Sequence, residues 1–209
     1  MKKSHLAKAI LIIALLIVSA CTKKSDNNVV VDVGSSTPGG TVTLRGATVH
    51  LSGTPLRIGN PLPATILIDA FTMQKVDLAQ LKGRVLMVSL VPSLDTKVCE
   101  VQTHHLAELA SRLPADIIRI TISRDTPFAQ KRFAEEAKLT GITYLSDYRE
   151  GAFGRSTGLL QEDSMLLARA VILVDKAGIV RYIQVVPELS HLPDMETLLT
   201  KANALSAGR

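Results

Sequence analysis

Residues 85–99 read VLMVSLVPSLDTKVC. The first seven, Val85–Val91, form a continuous apolar run, which is the pattern of a strand buried on both faces. Pro92 ends that strand. A helix is then predicted from about Thr96, with Asp95 or Thr96 suited to the N-cap. Val98, Val101, Leu106, Leu109 and Leu113 give it an apolar stripe at helical spacing, and Pro114 stops it. A strand covered on both faces needs helices packed against it, so this stretch predicts an α/β layer structure.

The flanking sequence fits that frame. Ile117–Ile122 predicts the next strand, and Thr126-Pro127 opens a second helix running through Lys138. Ile142–Leu145 is short and strand-like. Ala170–Val174 and Ile179–Val186 flank Asp175-Lys176-Ala177-Gly178, a hairpin signal, and a last helix is expected from about Asp194 to Leu205. Upstream, Thr65–Ile68 and Lys75–Leu78 read as short strands behind a connector carrying Pro55, Pro61 and Pro63. Thr41–Leu44 and Thr48–Leu51 alternate around Arg45-Gly46-Ala47, which predicts an N-terminal β-hairpin. The expected class is α/β with a mixed sheet.

Composition limits the functions open to the chain. It has 209 residues, of which 3% are aromatic and none is Trp, which argues against a base-stacking nucleic-acid surface. Its two cysteines are too few for a four-cysteine zinc site. Adjacent His104 and His105 diverge by about 100° on a helix, and no ligand array accompanies them, so no metal or cofactor is expected. The formal net charge is +5, but Lys2, Lys3 and Lys8 lie in a segment expected to be removed. Without them, 21 bases face 19 acids.

That segment reads as a secretory signal: a basic start, the apolar run Ala9–Val18, then Ser19 and Ala20. Val18-Ser19-Ala20-Cys21 resembles the lipobox of bacterial lipoproteins. The resemblance implies cleavage after residue 20, lipidation of Cys21 and a membrane-anchored protein at the periplasmic face, with the outer membrane favoured because Thr22 follows rather than aspartate. Residues 21–40 are then the lipidated cysteine and a flexible tether rich in Ser, Asn, Gly and Pro, and residues 41–209 are the folded domain.

Within that domain Cys99 is the lone thiol. It sits in the first turn of the helix after a buried strand. If Thr96 caps that helix, Cys99 is its third residue, where free N–H groups and the helix dipole favour a thiolate. The alternative is a buried space-filling cysteine. Arg169 immediately precedes the strand Ala170–Val174, and spacing alone favours a strand-end ion pair with Asp175 or a neighbour. There is no Cys-x-x-Cys pair.

Pro92-Ser93-Leu94-Asp95-Thr96-Lys97-Val98-Cys99 matches the Pro-x-x-x-Thr-x-x-Cys pattern of peroxiredoxins. Three further stretches resemble the bacterial thiol peroxidase branch: VTLRGATVHLSG, DTPFAQKRF (Asp125–Phe133) and ARAVILVD (Ala168–Asp175). The resemblance implies a thioredoxin-like fold with the N-terminal hairpin extension. It also implies a thiol-dependent peroxidase acting on hydrogen peroxide and organic hydroperoxides. Cys99 takes the peroxidatic role. Thr96 holds the thiolate and bridges to peroxide through its hydroxyl, Pro92 shields the site, and Arg169 favours the thiolate and orients the peroxide. A homodimer is also implied, with Asp125–Phe133 a candidate contact.

The sequence departs from the branch in one consequential place. Ala134 stands where the branch carries its resolving cysteine, and no other cysteine lies in the domain. The expected enzyme is therefore one-Cys, resolved by an external thiol or an exported thioredoxin-like reductant. A redox sensor or partner-binding module on the same fold is the competing expectation.

Overall fold

The computed structural model describes residues 29–208. The expected signal segment 1–20 and Cys21 lie outside the described residues. The strands in chain order are β1 (Val31–Asp32), β2 (Thr41–Leu44), β3 (Ala47–Ser52), β4 (Ile66–Asp69), β5 (Lys75–Asp77), β6 (Val85–Leu90), β7 (Ile117–Ser123), β8 (Thr143–Ser146), β9 (Leu160–Gln161), β10 (Ala170–Val174), β11 (Val180–Val185) and β12 (Leu192–Pro193). The helices are α1 (Lys97–Glu108), α2 (Pro127–Glu136), α3 (Ala152–Thr157) and α4 (Met195–Ser206).

Seven strands form one sheet in the order β11-β10-β6-β7-β8-β4-β5. β6 pairs in parallel with β7 and antiparallel with β10, and the parallel pairing continues from β7 to β8. This is the expected mixed sheet flanked by helices, a thioredoxin-like fold. β6 lies inside it, and all six of its residues are buried. Its side chains alternate between faces, as strand geometry requires. Leu86, Val88 and Leu90 enter the apolar layer that includes Phe153, Leu160 and hairpin residues Val42 and Leu51. Val85 and Met87 enter the opposite layer, with Cys99, Leu106, Ala134 and Leu198 of the helices.

The predicted hairpin is β2–β3, but its turn is two residues, because Ala47 pairs with Leu44. Arg45 and Gly46 both have positive φ, 52° and 81°, the combination a tight I′ turn needs. Several boundaries differ from the expected ones. α2 ends at Glu136 rather than Lys138, and Lys138 lies in the left-handed region at φ 54°. α3 and β9 were not foreseen. α3 has only six residues and lies between Gly151 and Gly158, both left-handed, so it is too short to show a periodic pattern.

A larger correction concerns the expected tether. From residue 30 onward it is laid onto the domain: β1 pairs in parallel with β12, Ser36 bridges to Val185, and Gly39 N donates to Gly158 O. Composition rich in Ser and Gly suggested a free chain, but several backbone groups of this segment bond to the C-terminal half of the protein. The described fold therefore includes about ten residues before Thr41.

Candidate active site

β6 delivers the chain to Pro92 at the carboxyl end of the central strands. Residues 92–96 then cross to α1. Thr96 takes the N-cap position with extended backbone (φ −137°, ψ 142°), so Cys99 is the third residue of the helix, as expected. The expected capping bond is not made. Thr96 Oγ1 instead donates to Ser93 O at 3.1 Å. Thr96 is exposed, and among the described residues its hydroxyl makes no hydrogen bond to Cys99. Pro92 is half-buried at the base of the loop.

The predicted stripe on α1 is shifted around the helix. Val98 and Val101 are only half-buried, while Cys99, Gln102, Thr103 and Leu106 face the sheet. This face is polar at its N-terminal end because it meets Arg169. Cys99 is 0% exposed and Arg169 is 2% exposed, and Arg169 Nη2 donates to Cys99 Sγ at 3.4 Å. The other guanidinium donors are also engaged. Nη1 donates to Gln102 Oε1 at 2.7 Å, and Nε donates to Leu189 O at 2.9 Å. Gln102 is itself fixed, its Nε2 donating to Ser89 Oγ at 2.8 Å and to Leu90 O at 3.3 Å.

One alternative falls away with this geometry. Arg169 makes no ion pair with Asp175, whose partner is Arg181 at 2.6 Å. Cys99 is buried, yet it faces a guanidinium rather than an all-apolar wall. A buried cation needs a compensating charge. Leu189 O and Gln102 Oε1 are neutral, so the one acceptor in this set able to carry charge is the sulfur.

The outer loop has its own grip. Asp125, between β7 and α2, accepts from Ser93 Oγ and from Leu94 N, both at 2.7 Å. It also accepts from Ser123 Oγ at 2.7 Å, and Gln130 Nε2 donates to that hydroxyl at 2.9 Å. Ser146 Oγ donates to Asp125 O. Beside the loop is a cleft of about 380 Å³, lined among others by Leu94, Thr96, Lys97, Glu100 and Phe133. Cys99, fully buried, does not line it. Ala134, at the expected resolving position, is buried in the same apolar layer as Cys99.

Sequence reasoning brought Cys99 and Arg169 to one place but missed Gln102, Asp125 and the Leu189 carbonyl. Gln102 carried a readable signal: it lies three residues after Cys99, hence on the same helical face. The acceptor role of a backbone carbonyl carries no residue signature.

Residues 57–199 match the Redoxin family. The chain belongs to that family. This redoxin is 37% identical over 161 residues to a thiol peroxidase of Listeria monocytogenes serotype 4b, covering 77% of the chain and 96% of the relative. It is 36% identical over 165 residues to a thiol peroxidase of Bacillus subtilis, covering 78% and 97%. Among solved structures, a peroxiredoxin-like protein from Aquifex aeolicus superposes with a TM-score of 0.75 at 32% identity, covering 82% of this redoxin and 99% of that chain. A thiol peroxidase from Chromobacterium violaceum, at 23% identity and a TM-score of 0.66 over 77% of this chain and 96% of that one, shares the fold.

Proposed function

We propose that this peroxiredoxin-type peroxidase reduces hydrogen peroxide, and organic hydroperoxides, through a sulfenic acid on Cys99, and that it works without a resolving cysteine. The observation that carries this reading is the buried Arg169 guanidinium directed at Cys99 Sγ, with no carboxylate of the described residues among its hydrogen-bond partners. A thiolate supplies the missing negative charge, and the N-terminal turn of α1 adds favourable dipole.

The reaction follows from that arrangement. The Cys99 thiolate attacks the hydroxyl oxygen of ROOH. The S–O bond forms as the O–O bond breaks, leaving Cys99 as the sulfenic acid and releasing RO⁻, which takes a proton to become ROH. Arg169 stabilises charge as it moves from sulfur to the departing oxygen. Thr96 reaches the peroxide by turning its hydroxyl from Ser93 O, and Pro92 limits water at the base of the loop. An external thiol then displaces hydroxide from sulfur, giving water and a mixed disulfide. A second thiol releases Cys99 and leaves the disulfide of the reductant. With Ala134 in α2, no second thiol of the folded domain competes for the sulfenic acid. Left unresolved, it is open to further oxidation.

The location is part of the proposal. Export and lipidation of Cys21 put the protein at the periplasmic face of a membrane, where a dedicated thioredoxin-like protein is the fitting reductant. Labelling cells with a clickable fatty acid should tag the wild type and not Cys21→Ser.

The deciding experiment mixes the protein with one equivalent of hydrogen peroxide and follows Cys99 by stopped flow and intact mass. Oxidation orders of magnitude faster than free cysteine, ending in sulfenic acid and absent in Cys99→Ser, supports the peroxidase. A rate equal to free cysteine would refute it. The complete burial of Cys99 favours one second reading, a slow redox sensor, which that same result would support if a specific partner were captured as a mixed disulfide.

A further inference from the structure

We propose that residues 30–36 are a positioning strap for Arg169, acting through segment 186–192. This proposal rests on the peroxidase reading of Cys99 and Arg169, and it concerns a part of the chain that precedes the matched family region at residue 57.

Segment 186–192 is directly bonded to Arg169. Val186 N donates to Arg169 O at 2.9 Å, and Leu189 O accepts from Arg169 Nε at 2.9 Å. Leu189 O thus fixes one of three donors that aim the guanidinium. The segment has no regular structure before β12, so its geometry depends on what holds it from outside.

The N-terminal residues do much of that holding. Leu192 N donates to Val30 O at 2.8 Å, and β1 runs parallel to β12. Glu188 N donates to Asp32 Oδ2 at 3.4 Å, and His191 Nδ1 lies 3.1 Å from Asp32 Oδ1. Just upstream, Val185 N donates to Ser35 Oγ at 3.0 Å and Ser36 N donates to Val185 O at 2.8 Å. The hairpin braces the same segment, with Thr43 N donating to Pro187 O and Leu189 N to Thr43 O, both at 2.7 Å.

The receiving side is built for the strap. Gln184 is 1% exposed, and its Nε2 donates to Asp32 O at 2.6 Å and Gly34 O at 3.0 Å, while its Oε1 accepts from Asp194 N at 2.9 Å. A buried amide whose two acceptors both come from residues 32–34 would be left unsatisfied without them. Incidental packing of a tether does not explain a buried donor dedicated to it.

The test uses the full chain carrying Asp32→Ala and Ser35→Ala together, with Asp32→Asn as the conservative variant. The first readout is the pH profile of Cys99 alkylation, which reports the guanidinium beside the sulfur whether or not peroxide is turned over. The second is the rate of Cys99 oxidation by hydrogen peroxide. Hydrogen exchange verifies release of residues 30–36. Misplacing a positioning group by a fraction of an ångström to an ångström costs roughly 10- to 100-fold. We expect oxidation to slow about tenfold at the lower end of that range. The alkylation profile should move to higher pH, with Asp32→Asn close to wild type. Release of the strap with both readouts unchanged overturns the proposal. If the double variant does not fold, Asp32→Ala alone is judged on the same two readouts. A wild type that reacts with peroxide no faster than free cysteine overturns the peroxidase reading instead, and the alkylation profile still decides the strap.

Discussion

Behind Cys99, every guanidinium donor of Arg169 described above has a fixed acceptor, and the braces reach α1, β6 and the segment before β12. In front of it, the loop from Pro92 to Lys97 is partly exposed, Thr96 holds only its own loop, and one carboxylate, Asp125, ties that loop to the rest of the protein. The inner wall sets charge and the outer wall sets access. In the proposed mechanism a thiol that meets a small peroxide and then a much larger reductant benefits from this division, the charged partner staying fixed while the covering loop opens.

The largest expected effect breaks the inner wall. Arg169→Ala should lower the second-order rate of Cys99 oxidation by about 10²–10³, the usual loss when a charge-stabilising donor is removed. Arg169→Lys should not rescue it, because an ammonium cannot reproduce the guanidinium fork. Stopped-flow kinetics with hydrogen peroxide checks both. A lysine variant at wild-type rate would mean that the fork is irrelevant.

Loosening the outer wall should do something different. Asp125→Ala removes acceptors from Ser93 and Leu94, each bond to a charged group contributing about 1.5–3 kcal/mol. Loop opening should become roughly tenfold or more favourable on that scale. Trapping of Cys99 by a bulky maleimide should then accelerate, while peroxide oxidation slows. If both rates fell together, the loop would not be the gate.

Thr96 sharpens the contrast on a smaller scale. Thr96→Val should slow peroxide oxidation about tenfold, on the order of one lost hydrogen bond to a charged group, and Thr96→Ser should remain near wild type. Equal rates for wild type and Thr96→Val would show that the hydroxyl never leaves Ser93 O.

The smallest effect lies farther out, at Glu188. Burial alone would raise its carboxyl. Hydrogen bonds from Ser190 Oγ, Arg45 N, Thr43 Oγ1 and Ser190 N outweigh that and hold it well below the ordinary carboxylate range. A depressed carboxyl stabilises the fold fully above its unfolded value, near pH 4.3, and loses that contribution as pH falls below it. Amide protection in β2 and β3, corrected for the intrinsic exchange rate at each pH, should therefore fall in acid. Glu188→Gln should flatten that dependence, and an unchanged acid profile in the variant would remove Glu188 as its source.

Much of the sheet was legible because β6, β7 and β10 are runs of apolar residues whose neighbours are turns or helices. Cys99 was legible as a thiol at a helix start, whereas Arg169 was legible only through the family resemblance, since spacing alone favoured a strand-end ion pair. The site was not legible where a partner is backbone, as at Leu189, or where burial reverses a pattern, as on α1, where Gln102 rather than Val101 faces the sheet. Residues 30–36 misled for a related reason. Their composition is that of a free linker, and what orders them is Gln184, about 150 residues away in sequence.

That separation has a consequence for how the protein is made. Residues 30–36 leave the ribosome early, yet their receptor is synthesised near the end of the chain, and contacts so distant in sequence form late. Arg169 itself follows Cys99 by 70 residues. A nascent chain therefore carries Cys99 without its guanidinium partner. Under the proposed function, the reactivity of Cys99 is then a property of the completed polypeptide alone.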